Sequence, residues 1–243
     1  MIARQWHMPG APLRASVTAA NLWAFAALLA LAWTARAWWR LGDGYIPKAA
    51  AVFAAIAVIV TGYVGGRHPF ARYGAANQVT TMRAVLVALV TGLIGERLNP
   101  GVAIAAAGVT LAVSALDFMD GWLARRTRMT SDFGARFDME IDAVLIMALG
   151  VLAWQYDKAG AWIVLSGLLR YLFVAAGMLW PWMDRPLLPS RRRQTVCVVQ
   201  IASLNLAIVP AAAAPVSVWL AGAGLLALAA SFLIDVVWLW RRA

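Results

Sequence analysis

Long apolar runs divide this chain, and most are long enough to cross a bilayer, which takes roughly 20 helical residues. The hydrocarbon core offers no partners to backbone N–H and C=O groups, so only helices and closed β-barrels span it. Barrel strands alternate apolar and polar residues, whereas these runs are continuously apolar. The sequence therefore predicts an all-α, polytopic membrane helical bundle. We place eight spans, at residues 17–39, 46–65, 77–94, 102–124, 133–154, 159–180, 195–212 and 216–240.

The composition excludes a soluble domain and a nucleic-acid partner. Hydrophobic residues make up 63% of the 243 positions and charged residues 13%, against about half and a quarter in soluble domains. The net charge of +10 would suggest nucleic acid in a soluble protein. Here the basic residues flank apolar runs, so membrane topology and anionic lipid headgroups explain them. The single cysteine, Cys197, cannot form an internal disulfide.

Basic residues near the span ends predict the orientation, because cytoplasmic loops carry an excess of Lys and Arg. With the amino terminus inside, fifteen arginines lie at inner ends, against five basic residues outside. Arg83 is counted among the inner ones, and Arg170 is left inside a span. Residues 66–76 are polar and Gly-rich, and we expect them at the interface. We expect an integral protein of a bacterial inner membrane.

Four aspartates at the inner ends of two adjacent spans carry the chemistry. Asp117 and Asp120 are three residues apart, and Asp138 and Asp142 are four apart, so each pair shares a helix face. The short loop between the spans predicts antiparallel helices whose aspartates face each other. Four buried carboxylates would repel one another, and hard divalent cations such as Mg²⁺ or Mn²⁺ relieve this by taking oxygen ligands. Such a site suits displacement at phosphorus.

Small and basic residues beside the aspartates suit a nucleotide. Gly121 and Ala124 follow Asp117 on one face, and small side chains there let a bulky group approach the helix. Arg125 can reach a phosphate with its guanidinium fork. Gly134 opens the next helix, which Ser131 or Asp132 can cap. Together with the four aspartates, Gly121, Ala124, Arg125 and Gly134 form one pattern, D-x2-D-G-x2-A-R-x8-G-x3-D-x3-D, from Asp117 to Asp142.

This pattern resembles the motif of the CDP-alcohol phosphotransferase family at every fixed position. The stretch Asn77-Gln-Val-Thr80-Thr-Met-Arg83 also resembles the start of the family's first core helix. The resemblance implies a six-helix domain at residues 77–243, preceded by residues 1–76 with two additional spans. It also implies a homodimer.

The resemblance implies the following roles. Two divalent ions would be held by Asp117, Asp120, Asp138 and Asp142, of which Asp142 would also be the general base. The CDP portion of the donor would contact Gly121, Arg125, Asn77, Thr80 and Ser131. The reaction would transfer a phosphatidyl group from CDP-diacylglycerol to a polar alcohol in the membrane, with release of CMP.

Two alternatives to this reaction stay open at this point. A CDP-linked small alcohol could instead donate to a membrane lipid alcohol, or the aspartates could serve a cation or proton transporter. Phosphatidylglycerophosphate synthases of the family commonly carry Pro and Lys where this chain has Met139 and Ala143, which weakens that acceptor assignment.

The basic residues outside the motif also have two interpretations each. Arg170 either binds an anionic acceptor or lipid phosphate, or pairs structurally with a carbonyl or Gln200. The run Arg191, Arg192 and Arg193 either captures an anionic acceptor or serves topology and lipid headgroups. His7 and His68 are expected in exposed loops, and no role is assigned to them.

Overall fold

The computed structural model of the chain describes residues 10–97, 99–188 and 190–242. These residues form α-helices and short 3₁₀ turns, so the predicted all-α class is confirmed. The turns are Ala161–Val164 and Pro181–Asp184. The eight helices of the described part are α1 Ala11–Trp39, α2 Tyr45–Arg67, α3 Ala75–Gly92, α4 Pro100–Arg126, α5 Asp132–Gln155, α6 Leu165–Leu179, α7 Arg191–Ile208 and α8 Val216–Trp240.

Five helical segments in the described residues are long and apolar enough to cross a membrane. They are α1, α2, α4, the segment Ala161–Leu179 and α8. The chain is therefore an integral membrane protein with five candidate spans. The three remaining helices, α3, α5 and α7, carry most of the polar residues singled out above. The prediction that all eight helices span the bilayer stays a prediction.

The structure divides into two compact units. The first contains the described residues of 1–97 together with Gly108–Ile141, and the second contains the described residues of 98–107 and 142–243. Helices α4 and α5 thus contribute to both units. The boundary predicted at residue 76 is a different division, based on family resemblance, and it stays a prediction.

Helices α1, α2 and α3 pack together in the first unit. Polar contacts join their ends: the Lys48 ammonium lies 2.8 Å from the Glu96 carboxylate, and the backbone N–H of Gly42 donates to the other oxygen of Glu96 at 2.7 Å. Burial raises the pKa of Glu96, but these two hydrogen bonds and the positive charge of Lys48 together leave the pKa below its usual value. The Tyr45 hydroxyl also donates to the carbonyl of Leu89 at 3.3 Å. The amino-terminal hairpin is thereby fastened to α3.

Differences between the predicted spans and the structure include the following three. Helix α1 begins at Ala11, six residues earlier than expected, because Pro12 stands in its first turn, where a proline is tolerated. The sixth predicted span is divided into a 3₁₀ turn and α6. Helix α7 begins at Arg191, so the three arginines lie in its first turn and not in the preceding loop.

Candidate active site

Three of the four aspartates converge in the first unit. Asp117 and Asp120 lie on the last turns of α4, and Asp138 lies in the second turn of α5. One carboxylate oxygen from each lies within 4.8 Å of the other two. The three- and four-residue spacings place each carboxylate on the inner face of its helix, and the short connection at residues 127–131 brings the two helices side by side. The predicted juxtaposition of the aspartate pairs is confirmed for these three.

A buried arginine lies at the centre of this cluster. The side chain of Arg83, on α3, is 1% exposed, and its Nη1 lies 2.8 Å from both Asp117 Oδ1 and Asp120 Oδ2. The same nitrogen contacts Asp138 Oδ1. A charged side chain inside a membrane costs at least about 2.5 kcal/mol unless it is paired, and three carboxylates pair with this one.

Arg83 corrects the sequence analysis, which counted it as an inner-surface charge. The signal that could have found it is its position within the predicted span 77–94, because Arg83 stands eight residues after Ala75, the first residue of α3. The same reasoning that singled out Arg170 applies to it. Arg83 is one turn beyond Thr80, on the same face of α3. The predicted donor residues Asn77 and Thr80 therefore already indicated a polar face on this helix.

The cluster has the donor chemistry of a divalent-cation site. All three groups offer carboxylate oxygens, which Mg²⁺ and Mn²⁺ prefer. Three carboxylates against one guanidinium give a formal charge of −3 + 1 = −2, which one divalent cation would neutralise. The residues present therefore fit a hard metal ion, and they would hold it between α4 and α5.

A cleft of about 190 Å³ lies beside the aspartates in the first unit. Two of the aspartates form its polar end, and the residues that the sequence assigned to the CDP donor surround the rest. These donor residues are Asn77, Thr80, Gly121, Arg125 and Ser131. The cleft is also lined by Asp120, Ala124, Gly134 and Asp138. The structure thus brings all five predicted donor residues to one cleft, while their role in binding stays a prediction.

Gly121 and Arg125 shape one wall of the cleft. A Cβ atom built on Gly121 would lie 3.3 Å from Arg125 Nη1, so the guanidinium extends back over the glycine along α4. The exposed Arg125 can swing away from this position without disturbing packing. A small residue at position 121 therefore leaves the guanidinium and a ligand room on the same helix face.

Hydrogen bonds hold the opposite wall in place. The Asn77 amide donates to the carbonyl of Tyr73 at 2.5 Å, and the Thr80 hydroxyl donates to Asp120 Oδ2 at 3.0 Å. A Cβ atom at Gly134 would lie 3.1 Å from Asn77 Oδ1, so the glycine lets α5 approach α3 closely. The backbone N–H of Gly134 donates to Ser131 Oγ at 3.1 Å. This confirms Ser131 as the cap of α5.

Asp142, the predicted base, belongs to the second unit. It lies on α5 one turn beyond Asp138 and is half-buried. The thiol of Cys197, on α7, lies 3.7 Å from Asp142 Oδ2. The sequence assigns no function to Cys197, because this residue stands 55 positions after Asp142 and the contact forms only in the folded chain.

The basic residues predicted for the acceptor have different surroundings. Arg192 Nη2 lies 2.5 Å from Asp235 Oδ1 on α8, and its Nη1 donates to Ser231 Oγ at 2.7 Å. Arg193 lies 3.4 Å from the same Asp235 oxygen. The amino terminus of a helix carries a partial positive charge, which disfavours arginines there. The carboxylate of Asp235 offsets this repulsion. These contacts within the protein belong to neither interpretation of the arginine run, and its role in binding an acceptor stays a prediction.

The roles of Arg191 and Arg170 stay predictions. Arg191 is exposed at the start of α7, and Arg170 is half-buried within α6. Gln200, the polar partner proposed for Arg170, is fully buried, and neither of its amide atoms has a hydrogen-bond partner in the described structure. Gln200 therefore does not hydrogen-bond Arg170. His7 lies outside the described residues, while His68 is buried, with 6% of its surface exposed, and is not in an exposed loop as expected.

Comparison with known proteins identifies the family. Residues 73–236 match the family model described as CDP-alcohol phosphatidyltransferase, which is more than half of the chain. The chain belongs to this family. The CDP-alcohol phosphatidyltransferase match begins at Tyr73, two residues before α3, so α1 and α2 lie outside it.

A curated relative supports this membership over a shorter stretch. The chain is 31% identical over 72 residues to the CDP-diacylglycerol–glycerol-3-phosphate 3-phosphatidyltransferase of Bacillus subtilis (strain 168). The matched stretch covers 30% of this chain and 37% of the relative. No solved structure matches the chain.

Proposed function

We propose that this CDP-alcohol phosphatidyltransferase-family protein transfers a phosphatidyl group from CDP-diacylglycerol to a polar alcohol and releases CMP. One observation carries the proposal: three carboxylates converge within 4.8 Å at the end of a cleft lined by Gly121, Arg125 and Ser131. That arrangement suits a donor with a charged diphosphate next to a flat nucleoside. Family membership argues against the transporter alternative, since the motif residues are those of a group-transfer enzyme.

The chain's own residues divide the work of the reaction. Asp117, Asp120, Asp138 and Asp142 would hold two divalent cations, Mg²⁺ or Mn²⁺. The chemistry that bound cations supply is neutralisation of the diphosphate and stabilisation of charge on the departing CMP. Gly121 leaves space for the nucleotide, and Arg125 reaches its phosphates.

Asp142 acts as the general base. It takes the proton from the acceptor hydroxyl while that oxygen forms a bond to the phosphorus distal to cytidine. The bond from this phosphorus to the bridging oxygen breaks, and CMP leaves with the electron pair. The new phosphodiester lipid stays in the membrane. Position contributes as much as basicity here, because a carboxylate that also binds metal is a weak base.

The donor and acceptor classes follow from the membrane setting. A diacylglycerol-linked donor enters from the bilayer, and a polar alcohol enters from water. Glycerol 3-phosphate, which the name of the Bacillus subtilis relative specifies, is one candidate acceptor. We further propose that the protein forms a homodimer and that the cleft opens on the cytoplasmic side.

Release of labelled CMP by the purified protein tests the proposal. Cytidine-labelled CDP-diacylglycerol is offered with a panel of polar alcohols, including glycerol 3-phosphate, serine and inositol phosphate. A second set pairs CDP-ethanolamine or CDP-choline with diacylglycerol. We expect CMP and a new phosphodiester lipid only in the first set, with Asp138→Asn as the inactive control. CMP formation only in the second set would reverse donor and acceptor, and none in either set would overturn the proposal.

A further inference from the structure

His68 lies against the donor cleft although it precedes the family match. It follows the last residue of α2 directly, and only 6% of the residue's surface is exposed. Phe70 and Phe133 contact the ring edge-on, with centroids at 5.3 Å and 5.8 Å. One ring nitrogen, Nε2, lies 2.8 Å from the carbonyl oxygen of Arg72, and the other, Nδ1, lies 3.1 Å from Ser131 Oγ. The ring is thus fixed in orientation and hydrogen-bonded at both nitrogens.

The partners of His68 determine where its proton lies. A carbonyl oxygen only accepts hydrogen bonds, so Nε2 must carry the hydrogen that it donates to Arg72. In the neutral ring Nδ1 is then an acceptor, and the Ser131 hydroxyl donates to it. The backbone N–H of Gly134 donates to the same hydroxyl oxygen at 3.1 Å. The hydroxyl proton of Ser131 is therefore directed at His68, and the oxygen keeps one lone pair for a further donor.

We propose that His68 is a positioning residue for the CDP donor, acting through the orientation of the Ser131 hydroxyl. Ser131 lines the cleft, and with its proton held by His68 it faces a ligand only as an acceptor. An acceptor repels phosphate oxygens and binds a hydroxyl or amino group, so Ser131 recognises the cytidine portion of the donor. This inference rests on the proposed function, since it requires a cytidine-containing ligand in the cleft.

The inference also gives the amino-terminal hairpin a role in the active site. Helices α1 and α2 lie outside the family match, yet His68 is at the end of α2. The hairpin is held to the family domain by the Tyr73 backbone N–H, which donates to Ser16 Oγ at 3.2 Å, and by the Tyr45 contact with α3. The added helices thus deliver a side chain that orients a residue of the family motif region.

Two substitutions at His68 separate its two hydrogen bonds. His68→Phe keeps the edge contacts with the neighbouring rings and removes both bonds, whereas the Oδ1 of His68→Asn can lie where Nδ1 lies and accept from Ser131. One lost hydrogen bond changes binding by roughly 2- to 12-fold. We expect His68→Phe to raise the KM for CDP-diacylglycerol by that factor with kcat within twofold of wild type, and His68→Asn to restore most of the loss.

A double-mutant cycle with Ser131→Ala tests the path of the effect. If His68 acts through Ser131, adding His68→Phe to Ser131→Ala leaves the donor KM unchanged. Effects on KM that multiply, or a wild-type KM in a folded His68→Phe variant, would overturn the inference. If His68→Phe does not fold, the test is a comparison of His68→Asn with His68→Gln, because Gln can keep only the bond to Arg72. Equal KM values for the donor in these two variants would refute the inference.

Two further readouts complete the test. A donor with deoxycytidine, which lacks the ribose 2′-hydroxyl, shows whether that hydroxyl or the cytosine amino group contacts Ser131. In the first case His68→Phe has no effect on the KM of the deoxy donor, and in the second case its effect on that KM is undiminished. The absence of any effect of His68→Phe on the KM of either donor contradicts the inference. Wild-type turnover is the separate measure of the proposed function. Absence of CMP release by wild type removes that function, whereas normal wild-type turnover with unchanged variants removes only the role of His68.

Discussion

Replacing Arg83 with methionine should make the stability of this protein depend on divalent cations. Methionine fills similar space but removes the positive charge from between Asp117, Asp120 and Asp138. Without metal, the three carboxylates would then repel one another with no counter-charge. With metal, a cation takes over the role of the guanidinium.

The structure gives the size of the expected effect. Removing one partner of a buried ion pair costs about 3–5 kcal/mol. Because the side chains of Asp117 and Asp138 are 30% and 36% exposed, water offsets part of the repulsion, and we take about 3 kcal/mol, the lower end of that range. For a chain of this length each kcal/mol shifts the melting temperature by roughly 2–4 °C, so the expected decrease in chelator is about 6–12 °C.

The assay is thermal unfolding of the detergent-purified variants in EDTA and in saturating Mn²⁺. A ligand at 100 times its Kd stabilises a protein by about 2.7 kcal/mol, and we expect a larger gain for Arg83→Met than for wild type because its site is more negative. The matched control is Arg36→Met, which breaks the exposed ion pair with Asp43. Such a pair contributes at most about 1 kcal/mol. Arg83→Lys should lie between the two, since it keeps the charge and loses the fork.

Two results would refute this reasoning. One is a decrease for Arg83→Met in EDTA no larger than that for Arg36→Met, which would mean that the guanidinium does not offset the carboxylates. The other is a deficit that stays the same size in Mn²⁺, which would mean that metal and arginine do not serve the same charges.

Three other substitutions or modifications probe the site. Asp142→Asn should lower turnover by roughly 10²–10⁴-fold while donor binding with metal persists; a variant that keeps more than about a tenth of the wild-type rate contradicts the base assignment, which rests on that range. Gly121→Leu should block CMP formation and leave the melting temperature near wild type, because only the mobile Arg125 side chain must move; normal CMP formation in the folded variant refutes the placement. Reaction of Cys197 with a charged methanethiosulfonate should abolish turnover, because its sulfur lies 3.7 Å from Asp142 Oδ2, while Cys197→Ser should be active and resistant; inhibition of Cys197→Ser by the reagent would contradict this.

Local spacing predicted the parts of the site that lie within one helix or one short connection. The pairs at Asp117 and Asp120, and at Asp138 and Asp142, share helix faces because of the helical repeat, and the short loop after α4 left only an antiparallel arrangement. Continuous apolar runs predicted where most helices lie. Ser131 as a cap followed from its position three residues before the N–H that it accepts from.

Contacts between distant helices could not be predicted in the same way. Arg83 reaches the aspartates across 34 to 55 residues of chain, and its positive charge near a span end looked like a topology signal. Asp235 binds Arg192 across 43 residues, which changed the environment of an arginine run that looked solvated. His68 looked like a loop residue because the burial of a loop depends on what packs over it, here Phe70 and Phe133.

The central claim is tested most directly by metal-dependent release of CMP from CDP-diacylglycerol. The purified protein is stripped with chelator, supplied with cytidine-labelled CDP-diacylglycerol and the acceptor selected from the alcohol panel, and assayed before and after Mg²⁺ or Mn²⁺ is restored. The account predicts no CMP in chelator, full recovery on restoring the metal, and none at any metal concentration for Asp138→Asn. CMP formation at the full rate in excess chelator would contradict it.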